Sequence, residues 1–317
     1  MSGVTFILLS TYNGASFLKQ QLESISAQSD KDWHLLWRDD GSNDDTAAVI
    51  EQFMQDTGVE RYQRILEPQG NVGVSASFSA LLRAVPSDAT RVAFCDQDDV
   101  WLPQKLARAS EALSAIPDTI PALYCARQLL VGHDLRSIGL SPNAPRPKEL
   151  RNALVQNIAT GNTVVLNYAA IDRLKKSRIP ADTMHDWWAY LVVTATGGKV
   201  IFDPSPVILY RQHRHNVIGS KQGWFSRIFN ALRRGPQRFL YSISANANAL
   251  SLHPALTPAA RNLLREFEHL HEKNFLTRFR TIRHMKLIRQ NRLEELMVIA
   301  IFLACNLRNN HPCPTEV

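Results

Sequence analysis

Cysteine is scarce in this 317-residue chain: it occurs four times (Cys95, Cys125, Cys305, Cys313), and no two form a CxxC pair. That spacing excludes a zinc ribbon and a disulfide framework, and reduced thiols in a cytosolic setting are the expectation. Long apolar runs are missing too. The longest, Leu296 to Cys305, has ten residues, about half of the roughly 20 that a membrane-spanning helix needs. The opening MSGVTFILLSTYNG has neither a basic n-region nor a small-residue cleavage site, so it reads as a first strand rather than a signal peptide. No GxGxxG and no Walker loop occurs, which removes the dinucleotide fingerprint and the P-loop as ways of holding phosphate. What remains is an ordinary globular composition, 45% hydrophobic and 21% charged, long enough for one large α/β domain or two.

The net charge of +7 is unevenly placed: residues 1–220 hold 21 basic and 23 acidic residues, residues 221–317 hold 15 and 6. The basic tail carries no RNA-binding signature or zinc-finger spacing, so an anionic surface is a better match for it than nucleic acid.

Val4 to Leu9 is a continuous apolar run of the kind buried on both sheet faces, and it ends in Ser10-Thr11-Tyr12-Asn13-Gly14. Phe17, Leu18, Leu22 and Ile25 then recur at helical spacing, and Trp33 to Trp37 reads as a second strand closed by Arg38-Asp39-Asp40-Gly41-Ser42. A capped helix from Asn43–Asp45, a strand near Gln63 to Leu66, a helix from Ser75 to Val85 and a strand at Val92 to Cys95 continue the alternation. The pattern predicts a mostly parallel sheet flanked by helices, in which ligands bind beyond the carboxyl ends of the strands. Further strands are expected at Leu123 to Val131, Thr163 to Asn167, Lys199 to Phe202 and Val207 to Arg211. Past Gly219 the chain turns to basic helical segments broken at Gly235-Pro236, His253-Pro254 and Thr257-Pro258. The predicted division is a catalytic domain over 1–219 and a helical extension over 220–317.

Three strands end in polar clusters, and Asp96-Gln97-Asp98-Asp99 is the sharpest. Three carboxylates in four residues repel one another unless a cation sits among them, and oxygen ligands of this kind suit Mg²⁺ or Mn²⁺ clamping a diphosphate. The bland alternative is an acidic loop whose Asp99 caps the helix beginning near Pro103. Asp39-Asp40 is a turn on its own; beside the other clusters, a carboxylate there can accept from a nucleobase N–H or ribose hydroxyls. His185-Asp186-Trp187-Trp188 opens a helical pattern. Asp186 is either a residue favoured by the helix dipole or a general base partly desolvated by the tryptophans Trp187 and Trp188, whose rings offer a stacking face to a sugar or lipid acceptor. Tyr210 to Asn216 adds two histidines and two arginines, candidates for a metal or diphosphate site.

Taken in order, STYNG, RDDGSNDDT, FCDQDDVWLPQKL, HDWW and LYRQHRHNVIG resemble glycosyltransferase family 2, and more narrowly its bacterial rhamnosyltransferase-like branch, over roughly residues 4–219. The resemblance implies a GT-A fold (α/β, Rossmann-like) with a helical extension, a nucleotide-sugar donor, and a metal-assisted inverting transfer in bacterial surface polysaccharide synthesis. It places Ser10, Tyr12, Asn13 and Asp40 on the nucleoside, with Asp40 on the base N–H. Asp96 and Asp98 match the diphosphate and metal motif, Asp98 as the direct ligand. Asp186 takes the position of the catalytic base, His213 completes the metal or diphosphate site, and Arg211 is a candidate phosphate contact. The branch points to dTDP-β-L-rhamnose, with a UDP-sugar as the other donor, and to a saccharide or lipid-linked saccharide acceptor. Two departures stand out: the usual acidic pair reads His185-Asp186, and Phe78-Ser79 replaces a more polar pair.

The carboxylates alone would also serve a metal-dependent nucleotide-sugar hydrolase or a nucleotidyltransferase, and neither explains HDWW and RQH following DQDD in this order. In the tail, Trp224, Phe225, Ile228, Phe229 and Leu232 run beside Arg227, Arg233, Arg234 and Arg238. Such a stripe either packs on the catalytic domain or lies in a membrane interface. The expected location is cytoplasmic, with peripheral contact at the inner face of the cytoplasmic membrane through this extension.

Overall fold

The computed structural model describes residues 3–181, 183–212 and 236–304. Its centre is one nine-stranded mixed sheet. The first half is wholly parallel: β1 (Thr5–Thr11) pairs with β2 (Trp33–Asp39) on one side and β4 (Arg91–Cys95) on the other, and β2 carries β3 (Tyr62–Arg64) at the edge. Across the sheet, β8 (Val165–Asn167) runs antiparallel to β4 and to β6 (Ala122–Val131). β6 is parallel to the long β9 (Lys199–Arg211), and the two-residue β5 (Val100–Trp101) closes that edge antiparallel to β9. β7 (Ser137–Leu140) pairs with β6 off the main path.

Strand periodicity decides which face each side chain serves. On β1, Phe6 and Leu8 join one apolar cluster while Ile7 and Leu9 join the other. The second cluster is covered by α1 (Ala15–Ser26), α2 (Thr46–Thr57) and α4 (Lys105–Ser114), through Leu18, Leu22, Ile50, Met54 and Leu106. The first is covered by α3 (Val74–Ala84), α5 (Leu150–Ala153), α6 (Tyr168–Lys175) and α7 (His185–Ala195). Helix α7 is apolar all round from Trp188 to Val193 and buried throughout that stretch, because its outer side is covered in turn by the C-terminal helices. These are α8 (Pro236–Ser251), α9 (Pro258–Glu268), α10 (Phe275–Met285) and α11 (Arg292–Ala304). Leu240, Ile243, Ala247 and Leu250 of α8 belong to the same core as α7.

Most expected elements appear within a residue or two of their predicted limits. The Thr257-Pro258 break is a helix start, with the Thr257 hydroxyl accepting from Ala260 N at 3.1 Å. Two expected strands, 199–202 and 207–211, are one. Pro204 and Pro206 cannot donate to a ladder, and they sit where the β6–β9 register shifts rather than ending the strand. Asp203 secures that irregularity by accepting from Tyr124 Oη at 2.7 Å, Arg108 Nε at 2.9 Å and Ser205 N at 2.9 Å. The predicted domain boundary at 219/220 and the stripe from Trp224 to Leu232 lie outside the described residues, as do Cys305 and Cys313. The Leu296 run is most of α11, with Val298 and Phe302 buried in the core.

Candidate active site

The parallel register sets Thr11 beside Asp39 and Leu9 beside Cys95. The turns that follow β1, β2 and β4 therefore emerge along one sheet edge, as the strand-end clusters predict. They are stitched together by side chains. Gln97 bonds both sides of the Tyr12 backbone, its Oε1 accepting from Tyr12 N at 2.8 Å and its Nε2 donating to Tyr12 O at 2.9 Å. Asn13 N donates to Ser42 Oγ at 2.8 Å, and Asn13 Oδ1 accepts from Asn43 N at 2.9 Å. The exposed Tyr12 ring and the Asn13 side chain thus stand on a braced turn.

Asp40 is buried and its oxygens are well used. Oδ1 accepts from Arg38 Nη1 at 2.5 Å and Val72 N at 2.9 Å, and Oδ2 accepts from Gly73 N at 2.8 Å. Arg38 also donates to Ser77 Oγ at 3.0 Å, and Ser10 Oγ donates to the same hydroxyl at 2.7 Å. Ser10 and Asp40 are two ends of one network that fixes the loop ahead of α3. Gly73 is at φ +83°, a conformation that presents its amide to Asp40 and that a side chain disfavours. One acceptor direction on Asp40 remains after these bonds.

The DQDD turn divides by depth. Asp99 is fully buried and accepts from Asn162 Nδ2 at 2.5 Å and Arg211 N at 3.3 Å. It does not cap the next helix: α4 starts at Lys105 after Gln104, with no side-chain cap. Asp96 and Asp98 are half-buried on the crevice side. Burial, then Asp98, then Asp186 push the Asp96 carboxyl up to about 7. Beneath them lies Lys105, fully buried, its Nζ donating to Asn162 O at 2.6 Å and standing 3.4 Å from the Trp101 ring centroid. Burial pulls that ammonium down to about 7 against the pull of Cys95, Asp99 and Asp96.

Asp186 occupies the first turn of α7. Its Oδ2 accepts from Gly161 N at 2.9 Å and its Oδ1 from Trp187 N at 2.5 Å, with a further bond from the Asn157 side chain. Burial raises it to about 6 in spite of those donors. Its charge raises the proton affinity of Asp96, so the DQDD and HDWW carboxylates lie within electrostatic reach of one another. The paired tryptophans separate as neighbours on a helix must. Trp187 is half-buried and donates Nε1 to Ala153 O at 2.7 Å. Trp188 is 1% exposed with Nε1 on Ser177 Oγ at 2.9 Å, so it is a core residue and presents no stacking face, contrary to the expectation for it. His185 also turns inward, its ring stacked on Phe78 at 3.8 Å and edge-on to Phe94 at 4.8 Å. Burial holds it neutral, down to about 3. Phe78, a departure from the family pattern, is the partner of His185, the other departure.

Arg211 is 2% exposed, and its guanidinium donates to Asp98 O at 3.0 Å, His133 O at 2.5 Å and Gln20 Oε1 at 2.6 Å. It braces the DQDD backbone from behind, which speaks against the phosphate contact expected of it. His213 lies outside the described residues. Among the described residues no group of three or more His, Cys, Asp or Glu side chains converges as a cation cage. Asp96 and Asp98 nonetheless fit a hard divalent cation, which is commonly held by one or two carboxylates with substrate phosphate oxygens completing its shell. Their mutual repulsion is the electrostatic counterpart of that fit. Gln97, Lys105, Asn157, Gly161 and Asn162 were not assigned roles from sequence. Gln97 and Lys105 lie inside the recognised motif, whereas the other three are marked only by their place in the fold.

The chain is similar to known proteins in sequence and in fold. Residues 6–164 match the family model of glycosyl transferase family 2. The dTDP-rhamnosyl transferase RfbG of Shigella flexneri is 25% identical over 229 residues, 67% of this chain and 74% of that protein. Uncharacterized mycobacterial relatives are 26% identical over 65% of this chain and 58% of their own length. Among solved structures, S. aureus TarS 1-349 in complex with UDP-GlcNAc superposes with a TM-score of 0.60 at 12% identity, over 95% of this chain and 89% of that one. The mannosyltransferase PcManGT from Pyrobaculum calidifontis, in complex with GDP-Man and Mn²⁺, gives 0.56 at 17% identity, over 96% and 81%. These two likenesses establish the fold, GT-A-like with C-terminal helices. With the family model spanning β1 to the 3₁₀ turn before β8, the chain belongs to glycosyl transferase family 2 and is a glycosyltransferase.

Proposed function

We propose that the protein is an inverting, metal-dependent glycosyltransferase that moves L-rhamnose from dTDP-β-L-rhamnose to a saccharide or lipid-linked saccharide acceptor. The observation that carries this reading is Asp186: a buried carboxylate in the first turn of α7, held by Gly161 N and Trp187 N, raised to about 6 by burial and within electrostatic reach of Asp96. A base with that proton affinity is ionised near neutrality and still basic enough to accept a proton. The rhamnose donor is supported by the relative named a dTDP-rhamnosyl transferase, and the nucleotide-sugar class by neighbours bound to UDP-GlcNAc and GDP-Man.

In this reading Tyr12, Asn13 and Ser10 form the nucleoside side of the crevice, and Asp40 offers its remaining acceptor direction to the base. Asp98, with Asp96, would hold Mg²⁺ or Mn²⁺ together with the donor diphosphate, and His213 would join them. When bound, the cation supplies neutralisation of the charge left on the departing diphosphate. Asp186 takes the proton of the acceptor hydroxyl as its oxygen bonds to the anomeric carbon. The bond to the diphosphate oxygen breaks on the opposite face, and a single displacement turns a β donor into an α product. Gly161 N, Trp187 N and Asn157 keep the carboxylate oriented through the proton transfer. Arg211, Lys105 and Asn162 act behind the site, fixing the backbone from which Asp96 and Asp98 project.

Thermal unfolding with dTDP, UDP and GDP, each with and without Mg²⁺ or Mn²⁺, tests donor and metal together, since a ligand of the native state raises its melting temperature. The largest rise is expected for dTDP with a divalent cation. No response to any pair would overturn the reading.

A further inference from the structure

The C-terminal helices present one surface that the transfer chemistry does not use. Helix α10 turns Ile282 and Met285 into the core, with Arg278 on the same side. Its other side exposes Phe275 (63%), Leu276 (67%) and Phe279 (38%). Positions 275, 276 and 279 share one helical face, and Arg283, one turn further on, lies over the Phe279 ring at 5.8 Å. Arg280, Arg283 and Lys286 are exposed beside these apolar side chains. From Lys273 to Leu293 the chain holds seven basic residues and no acidic one. Large exposed apolar side chains bordered by exposed positive charge match an interface that is apolar below and anionic above, as a bilayer surface is. A protein partner would require acidic groups arranged around an apolar socket, whereas a lipid headgroup layer offers both features without shape matching.

The surface is also well placed for a membrane-held acceptor. The extension is docked on segment 146–157: Arg151 Nη1 donates to Met285 O, Ile288 N donates to Arg151 O at 3.1 Å, and Asn152 Nδ2 donates to Ile288 O at 2.9 Å. The same segment supplies Ala153 O to Trp187 and Asn157 to Asp186. The C-terminal end of α10 is therefore tied to the segment that also holds Trp187 and Asp186.

We propose that the Phe275–Leu276–Phe279 face of α10, with Arg280, Arg283 and Lys286, docks on an anionic lipid surface. The proposal deepens the lipid-linked acceptor reading by naming the contact, and it is separable from the transfer chemistry. The test is flotation of the full chain with phosphatidylcholine vesicles, with and without about one third phosphatidylglycerol. Wild type is expected to float with the anionic vesicles and not the neutral ones. Phe275→Ser/Leu276→Ser/Phe279→Ser, and separately Arg280→Glu/Arg283→Glu, should each lower partitioning by about tenfold or more. Both variants should keep the wild-type melting temperature and its rise with dTDP, because the substituted side chains are exposed and none of them is assigned to the nucleotide or to catalysis. Failure of wild type to bind anionic vesicles, or undiminished binding by the apolar variant, overturns the proposal. So does light scattering that shows wild-type self-association abolished by the apolar variant while vesicle binding persists, since the face would then join two copies. A dTDP response that survives such a result leaves the transfer reading intact, and loss of that response with vesicle binding retained does the reverse.

Discussion

At the scale of single residues the site is governed by carboxylates held where charge is costly. Asp96 has a proton affinity raised from the ordinary carboxylate range to about 7. A carboxyl raised on folding disfavours the native state once it ionises, so its cost is absent below about pH 4 and complete above about pH 7. Asp96→Asn should therefore raise the melting temperature at pH 8 and leave it unchanged near pH 4. It should also blunt any stabilisation by Mg²⁺ or Mn²⁺, which differential scanning fluorimetry across pH and metal would register. A melting temperature lowered at pH 8 would contradict the electrostatic account. Much of this was legible in the sequence: three carboxylates after an apolar strand announce a repulsive cluster. Which of the three faces the crevice was not, because depth within a turn is set by partners far along the chain. Asp99 is drawn inward by Asn162 and Arg211, and no local pattern ties either of them to Asp99.

At the scale of elements, strand periodicity and turn residues made β1, β2 and β4 readable together with the edge on which their clusters meet. Short or irregular pieces were not readable. β5 has two residues, and β9 carries its prolines within a register shift, where the ladder needs no donor from them. Helix α7 shows the limit most plainly. Asp186, Trp187 and Trp188 are consecutive, yet one is a buried carboxylate held by Gly161 N, one is half-buried and one is core, since consecutive residues on a helix point about 100° apart. The 3₁₀ turn Gly161–Thr163 approaches this helix start closely: a Cβ on Gly161 would lie 3.0 Å from His185 Nε2 and 3.4 Å from Asp186 Cβ. Gly161→Ala is expected to push the Asp186 carboxylate off its Gly161 N–H. The expected signature is a fall in kcat of about tenfold or more with KM for the donor little changed, because orientation of the base is lost and nucleotide contacts are not. The acid limb of the pH profile should move as well, as one of the donors holding the anion weakens. A Gly161→Ala enzyme with unchanged kcat and pH profile would remove Gly161 from this role.

For the whole molecule, the sheet, α7 and the C-terminal helices share one apolar core, so the extension is expected to unfold with the catalytic part. The join includes a buried ion pair. Arg289 Nη2 lies 3.1 Å from Glu294, and Arg289 also donates to Val155 O in segment 146–157. Burial lowers Arg289 and raises Glu294, so each opposes its own charge and depends on the other. Arg289→Ala strands Glu294 and should cost about 3–5 kcal/mol. Denaturant unfolding should show a single transition shifted to lower concentration when followed by crevice-side and extension-side probes alike; two separated transitions would mean the extension folds on its own. Charge asymmetry along the chain pointed to this extension as a distinct surface, but its dependence on the catalytic core came from tertiary packing that composition does not encode.

The central claim is that Asp186 is the base of an inverting transfer, and one measurement bears on it directly: turnover of dTDP-β-L-rhamnose by Asp186→Asn against wild type across pH 5–9, with dTDP binding followed in parallel. Wild-type kcat/KM should rise as pH climbs through about 6, where the carboxyl becomes an acceptor. The variant should lose about 10²–10⁴-fold in kcat and that pH limb, while binding dTDP as wild type does. Near-normal turnover by Asp186→Asn, with the pH limb retained, would contradict the account.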